Sequence, residues 1–134
     1  RVIGGDLVGL ELAEFLVERG RTVKVLEPSG SLGPNLSIVR RSRVVHMLKE
    51  NGVDLLTNVE IKEICDQEVI FDHKETEKSL PADQVIIALG ANANLELTEE
   101  LNRLQLPLTS IGDCTSVGYI HGAIADARMA TLNL

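Results

Sequence analysis

The sequence predicts an α/β fold of three layers, with a central parallel sheet and an inserted antiparallel β-meander. Three observations carry that prediction. Strand-like and helix-like stretches alternate from Val2 to Leu56; the apolar period then shortens from helical to alternating; and the apolar residues are almost all Val, Ile, Leu and Ala. Alternating strands and helices build parallel sheets with right-handed crossovers, and buried parallel strands favour aliphatic runs.

Val2-Ile3 forms the first strand and runs into Gly4-Gly5. A helix follows over about 7–19, in which Val8, Leu12, Phe15 and Leu16 fall at helical spacing and Glu11, Glu14 and Glu18 line another face. Gly20 supplies its left-handed cap. Val23 to Leu26 is a second strand ending at Glu27-Pro28, and 29–34 is turn-forming. A second helix spans about 36–50, stopped by Asn51-Gly52, and Val53 to Leu56 is a third strand. Val59 and Ile61 then alternate with polar residues; 68–71 and 76–80 complete three short meander strands. Val85 to Leu89 reads as a fully buried strand ending at Gly90. A polar connection over 91–104 leads to a strand at 108–111, to Gly112-Asp113, and to a last helix over 119–132 with Ile120, Ile124 and Ala127 on one side. The expected domains are 1–90, built on the parallel sheet, and 91–134, a connector with a returning strand and helix.

Composition narrows the function. The 134 residues are 44% hydrophobic and 25% charged, ordinary for a globular domain with one core. A net charge of −7 speaks against nucleic acid, which needs a basic surface. The one basic cluster, Arg40, Arg41 and Arg43, reads as a solvated helix face. Cys65 and Cys114 form no CxxC, and His46, His73 and His121 are scattered, so no metal site is expected. Reduced thiols, no secretory signal and no long apolar run predict a cytoplasmic protein without a membrane span. The chain opens without Met, and three residues precede the first glycine, so it is expected to be a piece of a longer polypeptide.

The chemistry concentrates at the first turn. A diphosphate sits well over a helix N-terminus, where unpaired N–H groups and the helix dipole favour negative charge. Gly4 and Gly9 hold the first and third positions of G-x-G-x-x-G, while Asp6 stands in the second. Gly4, Gly5, Asp6, Leu7, Val8 and Gly9 are therefore the candidate phosphate loop of a Rossmann-like fold. Glu27, at the end of the next strand, can accept both hydroxyls of the adenosine ribose and would repel a 2′-phosphate. No Arg or Lys lies between Pro28 and Leu32, so NAD(H) is favoured over NADP(H). Asp6 cuts the other way: either the loop shifts and binds more weakly, or the site is a structural nucleotide pocket. On this reading Asp6→Gly should tighten binding.

Four stretches carry a family resemblance. The run from Ile3 to Ala13, IGGDLVGLELA, resembles the NAD-domain fingerprint of the pyridine-nucleotide-dependent flavoprotein oxidoreductases. ADQVIIALG, from Ala82 to Gly90, resembles that family's closing strand. The meander is what the family inserts between them, and SIGDC, from Ser110 to Cys114, with the helix after it, is similar to the family's second flavin motif. The phrasing is most similar to the C-terminal part of the 2,4-dienoyl-CoA reductase, enoate reductase and trimethylamine dehydrogenase group. That resemblance implies an FAD/NAD(P)-binding domain passing hydride from NAD(P)H to FAD. It also implies a parent bearing FMN and an iron–sulfur cluster in a barrel domain upstream. Glu11 would lie near the nicotinamide, Gly90 would let its strand end pass the dinucleotide, and Gly112 and Asp113 would serve FAD. The flavin half is incomplete here, so the isolated chain is expected to be inactive and the strand at 108–111 to lack its partner. In trimethylamine dehydrogenase the equivalent fold holds ADP, which leaves a non-redox ADP-binding module as the alternative. No residue reads as a nucleophile or proton-transfer pair, so no catalytic residue is assigned.

Overall fold

The computed structural model describes residues 1–132. It divides into two compact units, Arg1–Gly90 and Ala91–Leu134, the last two residues of the latter lying outside the described residues.

In the first unit, β1 (Val2–Ile3), β2 (Lys24–Leu26), β3 (Asp54–Leu56) and β7 (Ile86–Ile87) form a parallel sheet in the order β3-β2-β1-β7. Parallel neighbours need a crossover, and α1 (Leu7–Val17) and α2 (Ile38–Glu50) supply those between β1, β2 and β3. Because side chains alternate along a strand, Val25 joins the helix-side core with Leu10, Ala13, Val44 and Leu48. Its neighbour Leu26 joins Val59, Val69 and Phe71 on the opposite side. That opposite layer is the meander: β4 (Val59–Ile64), β5 (Glu68–His73) and β6 (Thr76–Pro81), paired antiparallel. The fold is therefore the expected three-layer Rossmann-like α/β arrangement.

Helix α1 turns a different face inward from the one its apolar spacing suggests. Gly9, Leu10 and Ala13 are buried, whereas Val8 and Phe15 are 55% and 49% exposed. Gly9 is the reason: it lies against the Gly4 carbonyl, and that close approach sets the rotation of the helix. Gly20 caps the end with φ +71, and the Arg21 N–H reaches back to the Leu16 carbonyl. Ser37 caps α2, its hydroxyl accepting from the Arg40 N–H. The Arg40 guanidinium meets the Glu14 carboxylate at 3.0 Å, tying α2 to α1, so the basic cluster is not merely a solvated face.

The expected burial of 85–89 does not hold. Ala88 is buried, but Ile87 and Leu89 are 64% and 60% exposed. β7 is an edge strand, and on the meander side the packing reaches Val85 and stops short of Ile87.

The second unit holds α3 (Glu96–Arg103), a 3-10 turn (Gly112–Cys114) and α4 (Tyr119–Leu132). Two expectations fail here. The connection over 91–104 contains α3, entered through the Asn94 side chain accepting from the Glu96 N–H. Its signal was present in Leu97, Leu101 and Leu104 at helical spacing, with acids first and Arg103 last. The stretch 108–111 is not a strand, because no described strand pairs with it and a strand is defined by its ladder. On α4, Ile120 and Ile124 are 80% and 65% exposed rather than packed. Among the described residues no helix is long and apolar enough to cross a membrane.

Candidate dinucleotide site

The carboxyl ends of β1 and β2 bring the first turn and Glu27 together. The Gly4 N–H donates to the Leu26 carbonyl at 2.8 Å, and the Glu27 N–H to the Leu56 carbonyl at 2.8 Å, so both turns leave the sheet at one edge. Gly4 has φ +106, and a β-carbon there would collide with the Ala88 carbonyl. A β-carbon on Gly9 would collide with the Gly4 carbonyl oxygen and lie 2.8 Å from its carbon. Both positions need glycine for close approach, as the fingerprint implies.

The mouth of α1 is chemically open. Its first helical bond runs from the Leu10 N–H to the Asp6 carbonyl, which leaves the N–H groups of Leu7, Val8 and Gly9 without helical acceptors. Asp6 occupies the N-cap but makes no side-chain cap bond. Donors aimed out of a helix terminus suit a diphosphate.

Glu27 is held by main-chain donors on both oxygens. Oε2 accepts from the Gly5 N–H at 2.6 Å and Oε1 from the Ser29 N–H at 2.7 Å. The carboxylate is thus oriented, with lone pairs able to accept further hydrogen bonds. Leu32 crowds Gly5, where a β-carbon would sit 2.5 Å from Cδ2.

Asp6 does not face the α1 mouth alone. Its Oδ2 accepts from Asn35 Nδ2 at 2.6 Å and its Oδ1 from the Asn35 N–H at 3.3 Å. No spacing rule connects these positions, so Asn35 could be found only in the folded chain.

A pocket of about 400 Å³ lies beside the β2–α2 connection, lined by Gly30, Ser31, Leu32, Ile38, Arg41 and Thr57. Arg41 therefore stands next to Gly30–Leu32, a stretch that carries no cation of its own. Glu11 is exposed on α1, and Gly90 has φ +100 with open space around it.

Gly112 and Asp113 belong to the second unit, where an acid absent from the sequence reading shapes their turn. The Gly112 N–H donates to Asp126 Oδ2 at 2.9 Å, and the Gly118 N–H to Asp113 Oδ1 at 2.9 Å. Gly112 has φ +77, and Thr115 Oγ1 donates to its carbonyl at 2.9 Å.

The Cys65 thiol is held above its ordinary value, first by desolvation and then by Glu63, Glu68 and Asp66. Less thiolate means slower alkylation. Under limiting iodoacetamide near pH 8, exposed Cys114 should be modified several-fold faster than Cys65, as peptide mass mapping would show. Equal rates would refute this environment.

The family model described as pyridine nucleotide-disulphide oxidoreductase matches residues 1–127. The chain belongs to that family. Among its relatives is bilirubin reductase of Mediterraneibacter gnavus (strain CC55_001C), 34% identical over 130 residues that cover 96% of this chain and 20% of that protein. A 2-naphthoyl-CoA reductase structure superposes with a TM-score of 0.85 at 29% identity, over 93% of this chain and 19% of that one. The histamine dehydrogenase from Rhizobium sp. 4-9 shares the fold, with a TM-score of 0.82 at 20% identity over 96% of this chain and 22% of that one. This member of the family thus spans about a fifth of the length of these proteins. The glycine turn, the closing strand and the meander occur in it in the order the resemblance implied.

Proposed function

We propose that this chain is the dinucleotide-binding part of a flavin-dependent oxidoreductase in which hydride passes from NAD(P)H to FAD. The observation that carries the reading is the Glu27 carboxylate, fixed by the Gly5 N–H beside the open amides of Leu7, Val8 and Gly9. In such a site the nicotinamide supplies hydride, and the protein supplies binding and orientation. The amides at the α1 mouth hold the diphosphate, and Glu27 takes the adenosine ribose. Glu11 and Gly90 border the nicotinamide end. The unit Arg1–Gly90 is the NAD(P)-binding domain; 91–134 is part of an FAD-binding domain, with Asp113 offering its carboxylate to the flavin's ribityl chain. The rest of the flavin half, and a barrel with FMN and an iron–sulfur cluster, belong to the same parent polypeptide. The isolated chain is then a binder without turnover.

NAD(H) is the proposed ligand, since the Glu27 carboxylate disfavours a 2′-phosphate. Titration of the 134-residue chain with NADH, NADPH and ADP tests the proposal. NADH should bind more tightly than either of the others. Binding of ADP alone would favour a nucleotide module without redox work, and no binding of any of the three would overturn both readings.

A further inference from the structure

We propose that Asp6 is a positioning residue that clamps the β2–α2 connection onto the phosphate-binding turn, holding the diphosphate and ribose contacts at a set spacing before ligand arrives. The inference rests on the dinucleotide reading above and deepens it.

Asp6 stands where the fingerprint has its second glycine, and by charge alone it should oppose a diphosphate. Its geometry gives it other work. An aspartate at an N-cap ordinarily accepts from its own helix, yet this one makes no such bond. Both oxygens go instead to Asn35, 2.6 Å from the side-chain amide and 3.3 Å from the main-chain N–H. Alongside, the Gly33 N–H donates to the Gly5 carbonyl at 2.7 Å, and the Gly5 N–H to Glu27 at 2.6 Å. Gly33 is buried with φ +55, a conformation that favours glycine and brings the segment back against Leu10 and Leu36.

These bonds join residues on two separate turns. The stretch from Glu27 to Ser37 has no strand or helix of its own, and a free loop of that kind would have to be ordered by the ligand. Ordering on binding reduces affinity; order already present preserves it. The Asp6–Asn35 pair is exposed, so water weakens the repulsion of a bound diphosphate, and the two Asn35 N–H donors offset part of the Asp6 charge. Tethering then outweighs repulsion, and Asp6 contributes to binding instead of opposing it. This reverses the expectation from sequence that Asp6→Gly tightens binding.

The test uses the 134-residue chain with Asp6→Ala, Asn35→Ala, the double variant and the exchanged pair Asp6→Asn with Asn35→Asp. Without ligand, amide hydrogen exchange followed by NMR should show Gly33 and Asn35 exchanging several-fold faster in each single variant. Exchange as in the parent chain would overturn the tether. With NADH, each single variant should bind about five- to tenfold more weakly, the scale of an ordinary net hydrogen bond, since the pair is exposed. The double variant should be no worse than Asp6→Ala, because that single change already removes both bonds to Asn35. The exchanged pair should recover affinity. Tighter NADH binding by Asp6→Ala, with Asn35→Ala neutral, would overturn the proposal in favour of charge repulsion. If the parent chain binds neither NADH nor ADP, the dinucleotide reading falls, and the exchange rates still decide whether the tether exists.

Discussion

Gly9→Ala is expected to abolish dinucleotide binding and to lower the thermal midpoint by about 5–10 °C. The added methyl would meet main-chain atoms of Gly4 rather than a side chain that can swing aside. Relief requires α1 to move off β1, which strains the Leu10 and Ala13 packing at the centre of the helix-side core. Overpacking of this kind costs about 1–3 kcal/mol, and in a domain of this size each kcal/mol moves the midpoint by about 4 °C. The same displacement shifts the Leu7 and Val8 amides, so affinity falls with stability. Gly122→Ala is the control: a β-carbon there meets open space within a helix, and it should stabilise by about 0.5–1 kcal/mol. Differential scanning calorimetry and NADH titration check both. A Gly9→Ala protein with the parent's midpoint and affinity would refute the close-approach argument.

Glu27 should give the second large effect, separable into affinity and selectivity. Glu27→Ala removes the acceptor of the buried Gly5 N–H as well as the sugar contact. A hydrogen bond to a charged group is worth about 1.5–3 kcal/mol, so NADH affinity should fall at least tenfold. Glu27→Gln keeps one acceptor oxygen and deletes the charge, while its amide NH2 loses one of the two main-chain bonds. With the carboxylate gone, a 2′-phosphate meets less repulsion, and Arg41 lines the pocket beside the same connection. The ratio of NADPH to NADH affinity should therefore rise several-fold in Glu27→Gln. Parallel fluorescence titrations measure it, and an unchanged ratio would show that Glu27 lies away from the ribose.

The linear sequence carries local chemistry well and spatial partnership poorly. Glycine spacing, an acid at a strand end and a change of apolar period each express a local backbone requirement, and the Rossmann-like order followed from them. The apolar stripe of α1 misled because Gly9, which has no side chain to weigh, decides the helix's rotation. The strand at 85–89 misled because an aliphatic run shows that a strand forms, not that both its faces are covered. Helix α3 was legible in Leu97, Leu101 and Leu104, but their polar surroundings masked it. Asp126 and Asn35 left no trace, since each acts on a residue many positions away.

By itself the sequence determined the order of strands and helices, the inserted meander and the spacing of Gly4 and Gly9, because these are carried by residues adjacent or a few positions apart. The tertiary structure alone decided which faces are buried, that Gly4 packs against the Ala88 carbonyl, that Arg41 lines a pocket with Gly30 and Leu32, and that the Asp6 carboxylate is bound by Asn35. Those outcomes depend on which distant segments pack together. Hydrogen bonds and charges act over a few ångströms of space, however many residues of chain intervene.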